Sequence, residues 1–240
     1  MKIFKGKKKT APERPEICLS LGCRTMDQLE EEILKHRGYC QAVEWKVDRI
    51  SGSAYYTKEE FTKKLKEVKA LCRGKKLIVN YKGDEETTAR IQKWALGTAD
   101  MIDVDISDTH LKEIVRAARR KRTGTIISYY DFEGMPSKED IATQFVRMEK
   151  SGGDILKIAC LAKEETDTYS MLEAAGAYTQ LKNHKPIIAV AMGDEGQASR
   201  ICAGDFGSVM TYACGSTPGE AGELSARDMC RYLDTYYKGK

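Results

Sequence analysis

The amino-acid sequence predicts an α/β fold, a closed (β/α)8 (TIM) barrel. Short runs typical of buried strands alternate with segments of helical periodicity, and such alternation implies a parallel sheet. Eight repeats within 240 residues suit a closed barrel. An open, doubly wound sheet is the alternative, but no GxGxxG motif follows the first strand. We expect one domain, residues 1–240, with a basic N-terminal extension at residues 1–14.

The predicted strands are short apolar or alternating runs. They lie at residues 16–20, 42–48, 76–82, 101–106, 125–130, 155–160, 186–192 and 206–213. The segments between them carry apolar residues at helical spacing, and several begin at a residue that caps helices well, as Thr25, Thr57 and Ser137 do. These helices are expected at residues 25–38, 57–74, 85–96, 109–121, from 137 onward, 168–182, 197–203 and 225–237.

Composition excludes several classes of protein. No apolar run approaches the length of a membrane span. Residues 1–10 are basic but lack the apolar core of a signal peptide, so we expect a cytoplasmic protein. The net charge of +4 is small, and the basic runs at 7–9 and 119–122 lack aromatic interleaving. We therefore expect no nucleic-acid partner and no membrane partner.

The cysteine pattern argues against a metal site. No CxxC pair occurs among the eight cysteines, and several of them lie in apolar runs where a thiol packs as a small hydrophobic group. We expect free thiols in a reducing compartment and no metal. The cysteines are Cys18, Cys23, Cys40, Cys72, Cys160, Cys202, Cys214 and Cys230.

Lys157 lies in the middle of the apolar run 155–160. A buried lysine is costly unless it is paired, deprotonated or used in chemistry. One interpretation is an ammonium at a strand end that reaches water. The other is a nucleophilic amine, because desolvation lowers the pKa of lysine and a neutral amine attacks carbonyl groups.

The barrel prediction places polar residues together. Chemistry in such barrels lies at the carboxyl-terminal ends of the strands, called the mouth below. Several cations near Lys157 should depress its pKa, as a Schiff-base lysine requires. The alternative is that some of these residues form internal salt bridges, such as Glu44 with Lys46. The polar residues near strand ends are Ser20, Glu44, Lys46, Lys82, Tyr130, Lys157 and Arg200.

The sequence resembles the type I 3-dehydroquinate dehydratases, the Schiff-base enzymes of the shikimate pathway, from Glu16 to the last helix. This resemblance implies a (β/α)8 barrel, usually a homodimer, with no cofactor and no metal. It rests on short motifs spread along the chain. They are Glu44-Trp45-Lys46-Val47-Asp48, Met101-Ile102-Asp103-Val104-Asp105, Ser128-Tyr129-Tyr130-Asp131-Phe132, Leu156-Lys157-Ile158-Ala159, Ala198-Ser199-Arg200, Phe206-Gly207-Ser208 and Ser216-Thr217-Pro218-Gly219.

The resemblance also implies roles for single residues. Lys157 matches the lysine that forms an imine with the substrate ketone, and Arg200 matches the arginine that holds the substrate carboxylate. Glu44 matches the carboxylate that orients a catalytic histidine and touches the substrate. Ser20 and Ser216 match polar pocket positions, the latter on a loop that closes over the substrate.

Four positions depart from the family pattern. The catalytic histidine falls on Tyr130, and two family arginines fall on Lys46 and Lys82. The loop glutamine falls on Glu220, or on Glu223 if the extra residues are placed earlier. A glutamate at this point adds negative charge near a carboxylate-binding pocket, which disfavours a dianionic substrate.

The tyrosine changes the proton chemistry. A phenol has a pKa of about 10, against about 6.5 for histidine. The carboxylate of Glu44 would raise the pKa of Tyr130, whereas Lys46 and Lys82 would lower it. Tyr130 can therefore act as an acid or base only if the lysines dominate, and otherwise Glu44 or a water must take the proton.

The sequence leaves three functional hypotheses. The first is a Schiff-base lyase that dehydrates a carboxylate-bearing cyclic ketone, with 3-dehydroquinate to 3-dehydroshikimate as the default reaction. The second is a diverged paralogue that forms an imine with another keto acid. The third is a homologue that binds a carboxylate without turnover.

Overall fold

The computed structural model describes residues 13–219 and 221–239. Within these ranges, strands and helices alternate in the order β1, α1, β2, α2 and so on to β8, α8. The strands are β1 (Glu16–Leu21), β2 (Ala42–Lys46), β3 (Lys76–Asn80), β4 (Met101–Asp105), β5 (Gly124–Asp131), β6 (Ile155–Leu161), β7 (Ile187–Met192) and β8 (Met210–Ala213). The helices are α1 (Met26–His36), α2 (Lys58–Leu71), α3 (Glu85–Ala95), α4 (Leu111–Lys121), α5 (Lys138–Glu149), α6 (Glu165–Thr179), α7 (Gln197–Cys202) and α8 (Ala226–Tyr236).

The strands form one parallel sheet in the order β7-β6-β5-β4-β3-β2-β1-β8. The two ends of this sheet meet just before β8. Ile187 pairs with Ser208 in an isolated parallel bridge, and the N–H of Val209 donates to the carbonyl oxygen of Ile187 at 2.8 Å. The sheet is thus a nearly closed barrel, and the predicted (β/α)8 architecture is confirmed.

Alternation along each strand divides the apolar core in two. One group of side chains, the inner cluster, fills the barrel. A larger group lies between the barrel and the surrounding helices, where Trp45 of β2 stacks on Phe61 of α2 with ring centroids 5.9 Å apart. The inner cluster comprises Cys18, Ala42, Ile78, Ile126, Ala159, Ile188, Val190, Met192, Met210 and Tyr212.

The predicted helix starts at Thr25, Thr57 and Ser137 are confirmed. Each side chain accepts a hydrogen bond from the backbone N–H three residues on. At Thr57 the carboxylate of Glu60 also binds the backbone N–H of Thr57, which completes a capping box. These caps satisfy backbone donors that would otherwise lack partners at the helix ends.

Some predicted boundaries were wrong. Strand β8 begins at Met210 rather than 206, because residues 203–206 form a 3-10 helix that ends at Gly207 with φ +90°. Strand β2 ends at Lys46, where a 3-10 turn starts. The predicted extension, residues 1–14, lies outside the described residues except for Glu13 and Arg14. None of the helices in the described ranges is both long and apolar enough to cross a bilayer.

Candidate active site

Strand β6 is fixed tightly against β5 at the point where it enters the barrel. Gly153 precedes the strand, and a Cβ there would collide with the side chain of Ile127. The carboxylate of Asp154 accepts hydrogen bonds from the backbone N–H of Thr125 at 2.8 Å and from its hydroxyl at 3.0 Å. This anchoring sets the register that places Lys157 beside Ser128.

Lys157 lies deep in the mouth, with only 3% of its surface exposed. Its Nζ donates to the carboxylate of Asp103 on β4 and lies 3.4 Å from the hydroxyl of Tyr212 on β8. Glu44 on β2 places its Oε1 3.6 Å from the same nitrogen. The lysine is therefore a buried, paired ammonium, and not one that reaches out to water.

The two carboxylates beside Lys157 are themselves held in place. The hydroxyl of Ser128 donates to Oδ1 of Asp103 at 2.5 Å, and the hydroxyl of Ser20 donates to Oε2 of Glu44 at 2.8 Å. Burial alone would raise the pKa of Glu44, but the charges of Lys157 and Lys46 and the hydrogen bonds from Ser20 and Asn80 together outweigh burial, and the pKa is lowered. Glu44 is therefore a carboxylate at neutral pH, fixed beside the amine.

The predicted depression of the pKa of Lys157 was wrong. Burial by itself lowers the pKa, but the opposing charge of Asp103, with smaller contributions from Tyr130, Tyr212 and Glu44, raises it well above the ordinary value of 10.5. The carboxylates of Asp103 and Glu44 both form ion pairs with this nitrogen. In the free protein Lys157 is an ammonium, and it must lose a proton before it can attack a carbonyl group.

The ring of Tyr130 lies close to the ammonium groups of two lysines. The ammonium of Lys82 lies 3.3 Å from the centroid of its ring, and Nζ of Lys157 lies 5.1 Å from that centroid. Phe132 stacks on Tyr130 with centroids 5.6 Å apart and planes within 5° of parallel. Desolvation lowers the pKa of Lys82, and its own approach to Lys157 lowers it further against the opposing effect of Asp103.

The phenol of Tyr130 stays neutral. Burial raises its pKa, and the carboxylates of Asp103 and Glu44 raise it further, whereas Lys157 lowers it. The lysines therefore do not dominate, which was the condition for Tyr130 to act as a base at neutral pH. Its hydroxyl can still donate a hydrogen bond.

Two further cationic residues, Arg200 and Lys46, lie at this end of the barrel. Arg200 on α7 is 2% exposed, and its Nη1 donates to the carbonyl oxygen of Tyr212 at 3.4 Å. Lys46 at the end of β2 lowers the pKa of Glu44 by its charge. The structure thus brings to one end of the barrel the seven polar residues that the sequence placed at strand ends.

The loop after β8 is docked on α1. The hydroxyl of Ser216 accepts from Nζ of Lys35 at 2.7 Å and lies 3.2 Å from Nε2 of His36. The N–H of Ser216 donates to Glu32 at 2.6 Å. Glu220 lies outside the described residues, and Glu223 accepts from the N–H of Gly219 at 2.8 Å. The structure therefore joins Ser216 to a helix rather than to Lys157.

His36 gives this loop contact a pH dependence. Burial lowers its pKa from the ordinary 6.5, Glu32 opposes that shift, and Lys35 adds to it. A histidine with a lowered pKa contributes stability that is present above its unfolded pKa and is lost as the pH falls through the folded one. We expect the urea-unfolding free energy to fall as the pH is lowered below about 6.5, and to fall less in a His36→Gln variant. An equal fall in both proteins would contradict this.

Three residues of the site were not predicted as such. Asp103 and Ser128 appeared only as parts of motifs, and Tyr212 lay inside a predicted strand. The signal for Asp103 was its alternation with Met101 and Asp105, which puts all three on one face of β4. In a closed barrel that face points inward, toward Lys157.

This arrangement, with a lysine on β6 between carboxylates on β2 and β4, agrees with a family comparison. Residues 17–240 match the family model described as type I 3-dehydroquinase. The chain belongs to the type I 3-dehydroquinase family. The predicted family membership is thereby confirmed.

Curated relatives and solved structures match nearly the whole chain. The 3-dehydroquinate dehydratase of Clostridioides difficile is 28% identical, over 94% of this chain and 93% of its own. That of Listeria monocytogenes is 26% identical, over 93% of each. A crystal structure of the Clostridium difficile type I enzyme with covalent modified comenic acid matches with a TM-score of 0.87 and 26% identity, over 95% of this chain and 94% of that one.

Proposed function

We propose that this protein is a Schiff-base lyase that dehydrates 3-dehydroquinate, the reaction for which its curated relatives are named. The observation that carries the proposal is Lys157. It is a buried lysine at the mouth of a (β/α)8 barrel, and two carboxylates hold it among polar side chains. A lysine amine that has lost its ammonium proton forms imines with ketones. The covalent modification in the solved Clostridium difficile relative is consistent with such a nucleophile.

The other residues have separate tasks in this proposal. Arg200 binds the substrate carboxylate, for which its planar guanidinium is suited. Glu44, an ionised carboxylate beside the imine nitrogen, takes the proton from the neighbouring carbon. Tyr130, as a neutral phenol, donates a hydrogen bond to the departing hydroxyl. Lys46 and Lys82 hold hydroxyl groups of the substrate, and Ser20 fixes Glu44.

A second candidate function is imine chemistry on a different keto acid. Tyr130 favours it, because the resemblance puts a catalytic histidine at that position and the phenol here stays neutral. Replacement of two family arginines by Lys46 and Lys82 also changes the geometry of hydroxyl recognition. Rapid turnover of 3-dehydroquinate by the purified protein would count against this candidate.

Imine trapping tests the proposed function. The protein is incubated with 3-dehydroquinate, reduced with borohydride and digested for mass spectrometry. We expect one reduced adduct, on the peptide that carries Lys157, and none in a Lys157→Ala variant. Lys163→Ala, at an exposed position just after β6, is the matched control and should form the adduct normally. An adduct on other lysines alone would refute the imine step.

A further inference from the structure

Lys157 begins the reaction in the wrong protonation state. An ammonium has no lone pair, so a nearby group must accept a proton before the nitrogen attacks a ketone. The phenols of Tyr130 and Tyr212 are neutral, since burial raises the pKa of each. Two carboxylates in the described part of the chain lie beside the nitrogen, those of Asp103 and Glu44.

Geometry separates these two carboxylates. Asp103 accepts a hydrogen bond directly from Nζ of Lys157, whereas Oε1 of Glu44 lies 3.6 Å away, beyond hydrogen-bond distance. Ser128 donates to Oδ1 of Asp103 at 2.5 Å, and it is Oδ2 that meets the amine. Asp103 is 3% exposed, so bulk water does not compete well for the proton.

We propose that Asp103 is a catalytic acid–base of this site, which takes a proton from Lys157 for its attack on the ketone and returns it when water leaves. This role rests on the proposed function and deepens it, since it names the group that makes the lysine reactive. It also separates two proton transfers, because Asp103 serves imine formation while the proton on carbon is removed by another group.

The steps balance without an added reagent. Asp103 removes one of the three ammonium protons, and the nitrogen lone pair forms the C–N bond as the C=O π pair moves to oxygen. A second proton passes from nitrogen to that oxygen, which gives a neutral carbinolamine. Protonated Asp103 then gives its proton to the hydroxyl, and the C–O bond breaks to release water. The nitrogen lone pair forms C=N, and the carboxylate of Asp103 again faces a cation.

The rate of imine formation tests this role. The protein is incubated for timed intervals with 3-dehydroquinate or with glyoxylate, a small reactive carbonyl acid, and quenched in borohydride at one fixed pH. General acid–base groups contribute about 100- to 10,000-fold to rate. We therefore expect Asp103→Asn to slow trapping on Lys157 by at least about 100-fold at neutral pH.

Glu44→Gln is the matched comparison. It also removes a negative charge beside Lys157, but from a group whose nearest oxygen lies 3.6 Å from the nitrogen, beyond hydrogen-bond distance. It should slow trapping by less than about tenfold if proton transfer, and not charge alone, is the function of Asp103. Trapping in Asp103→Asn within about threefold of the unsubstituted protein, or equal losses in both variants, would overturn the assignment.

A second measurement uses only the unsubstituted protein, so it does not require any variant to fold. If Asp103 accepts the proton internally, the trapping rate of the unsubstituted protein should change by less than about threefold between pH 6 and 8.5. If solvent accepts it from an ammonium with a raised pKa, the rate should rise about tenfold per pH unit, and Asp103 would be excluded.

The two carbonyl compounds separate the failure of this role from the failure of the proposed function. Trapping of glyoxylate but not 3-dehydroquinate, with the expected loss in Asp103→Asn, would overturn the substrate and leave the acid–base role standing. Normal trapping of both by Asp103→Asn would overturn the role alone. Trapping of neither on Lys157 of the unsubstituted protein would overturn both.

Discussion

Replacing Lys157 by methionine is expected to lower the free energy of unfolding by about 3–5 kcal/mol at neutral pH. The methionine leaves the carboxylates of Asp103 and Glu44 buried without the cation that neutralises them. Removing one partner of a buried ion pair is costly because the remaining charge stays desolvated. Urea unfolding followed by circular dichroism would measure the loss. Lys163→Met, at an exposed position, should change stability by less than about 0.5 kcal/mol.

A double variant shows whether charge is the cause. Lys157→Met combined with Asp103→Asn should be more stable than Lys157→Met alone, although it carries one substitution more. The loss should also shrink in acid. Glu44 has a lowered pKa, so its pairing contributes stability above its ordinary pKa of 4.5 and loses it as the pH falls through the folded value. A loss that is additive in the double variant and independent of pH would point to packing instead.

Tyr130→His is expected to raise the turnover of 3-dehydroquinate by about 100- to 10,000-fold, the range that a general acid–base residue contributes. A neutral phenol leaves removal of the carbon proton to Glu44, whereas an imidazole with a pKa near 6.5 is a stronger base that can take over this step at neutral pH. Lys157, the proposed imine nucleophile, already lies beside its two carboxylates. Turnover would be followed by the absorbance of the conjugated enone product.

The control for this variant is Tyr130→Phe. It keeps the ring that lies against Lys82 and Phe132 but removes the hydroxyl, so it should not gain activity. Trapping of the imine should be similar in all three proteins, because the proton of the amine is proposed to pass to Asp103 and not to Tyr130. If Tyr130→His forms the adduct at the normal rate and gains no turnover, the barrel is adapted to a substrate other than 3-dehydroquinate.

The sequence predicted the architecture well, because strand and helix periodicities alternate regularly and β/α connections are short. It also indicated that Lys157, Glu44 and Ser20 would meet, since the carboxyl ends of parallel strands face one end of a barrel. Both predictions require only the strand boundaries and the alternation of residues along each strand, which can be read from the sequence.

The electrostatics of the site depended on distances that the sequence does not contain. Counting cations near strand ends predicted a depressed pKa for Lys157, but the closest charged group is Asp103, across the barrel interior. Which of several nearby charges touches the amine depends on barrel closure and side-chain rotamers. The contact of Ser216 with α1 could not be predicted from the sequence either, because loop conformation has no periodic pattern.

The inner cluster affects where water can lie next to Lys157. Lys157, Glu44 and Ser128 each have an apolar residue two positions nearer the amino end of the strand. Ala42 and Ile126 belong to the inner cluster, and Ile155 packs against it. The nitrogen of Lys157 therefore has an apolar floor on the side of the strand amino ends. In the proposed reaction, water released by imine formation would find no polar partner on this floor, and it would stay on the mouth side, where hydrolysis of the imine needs it.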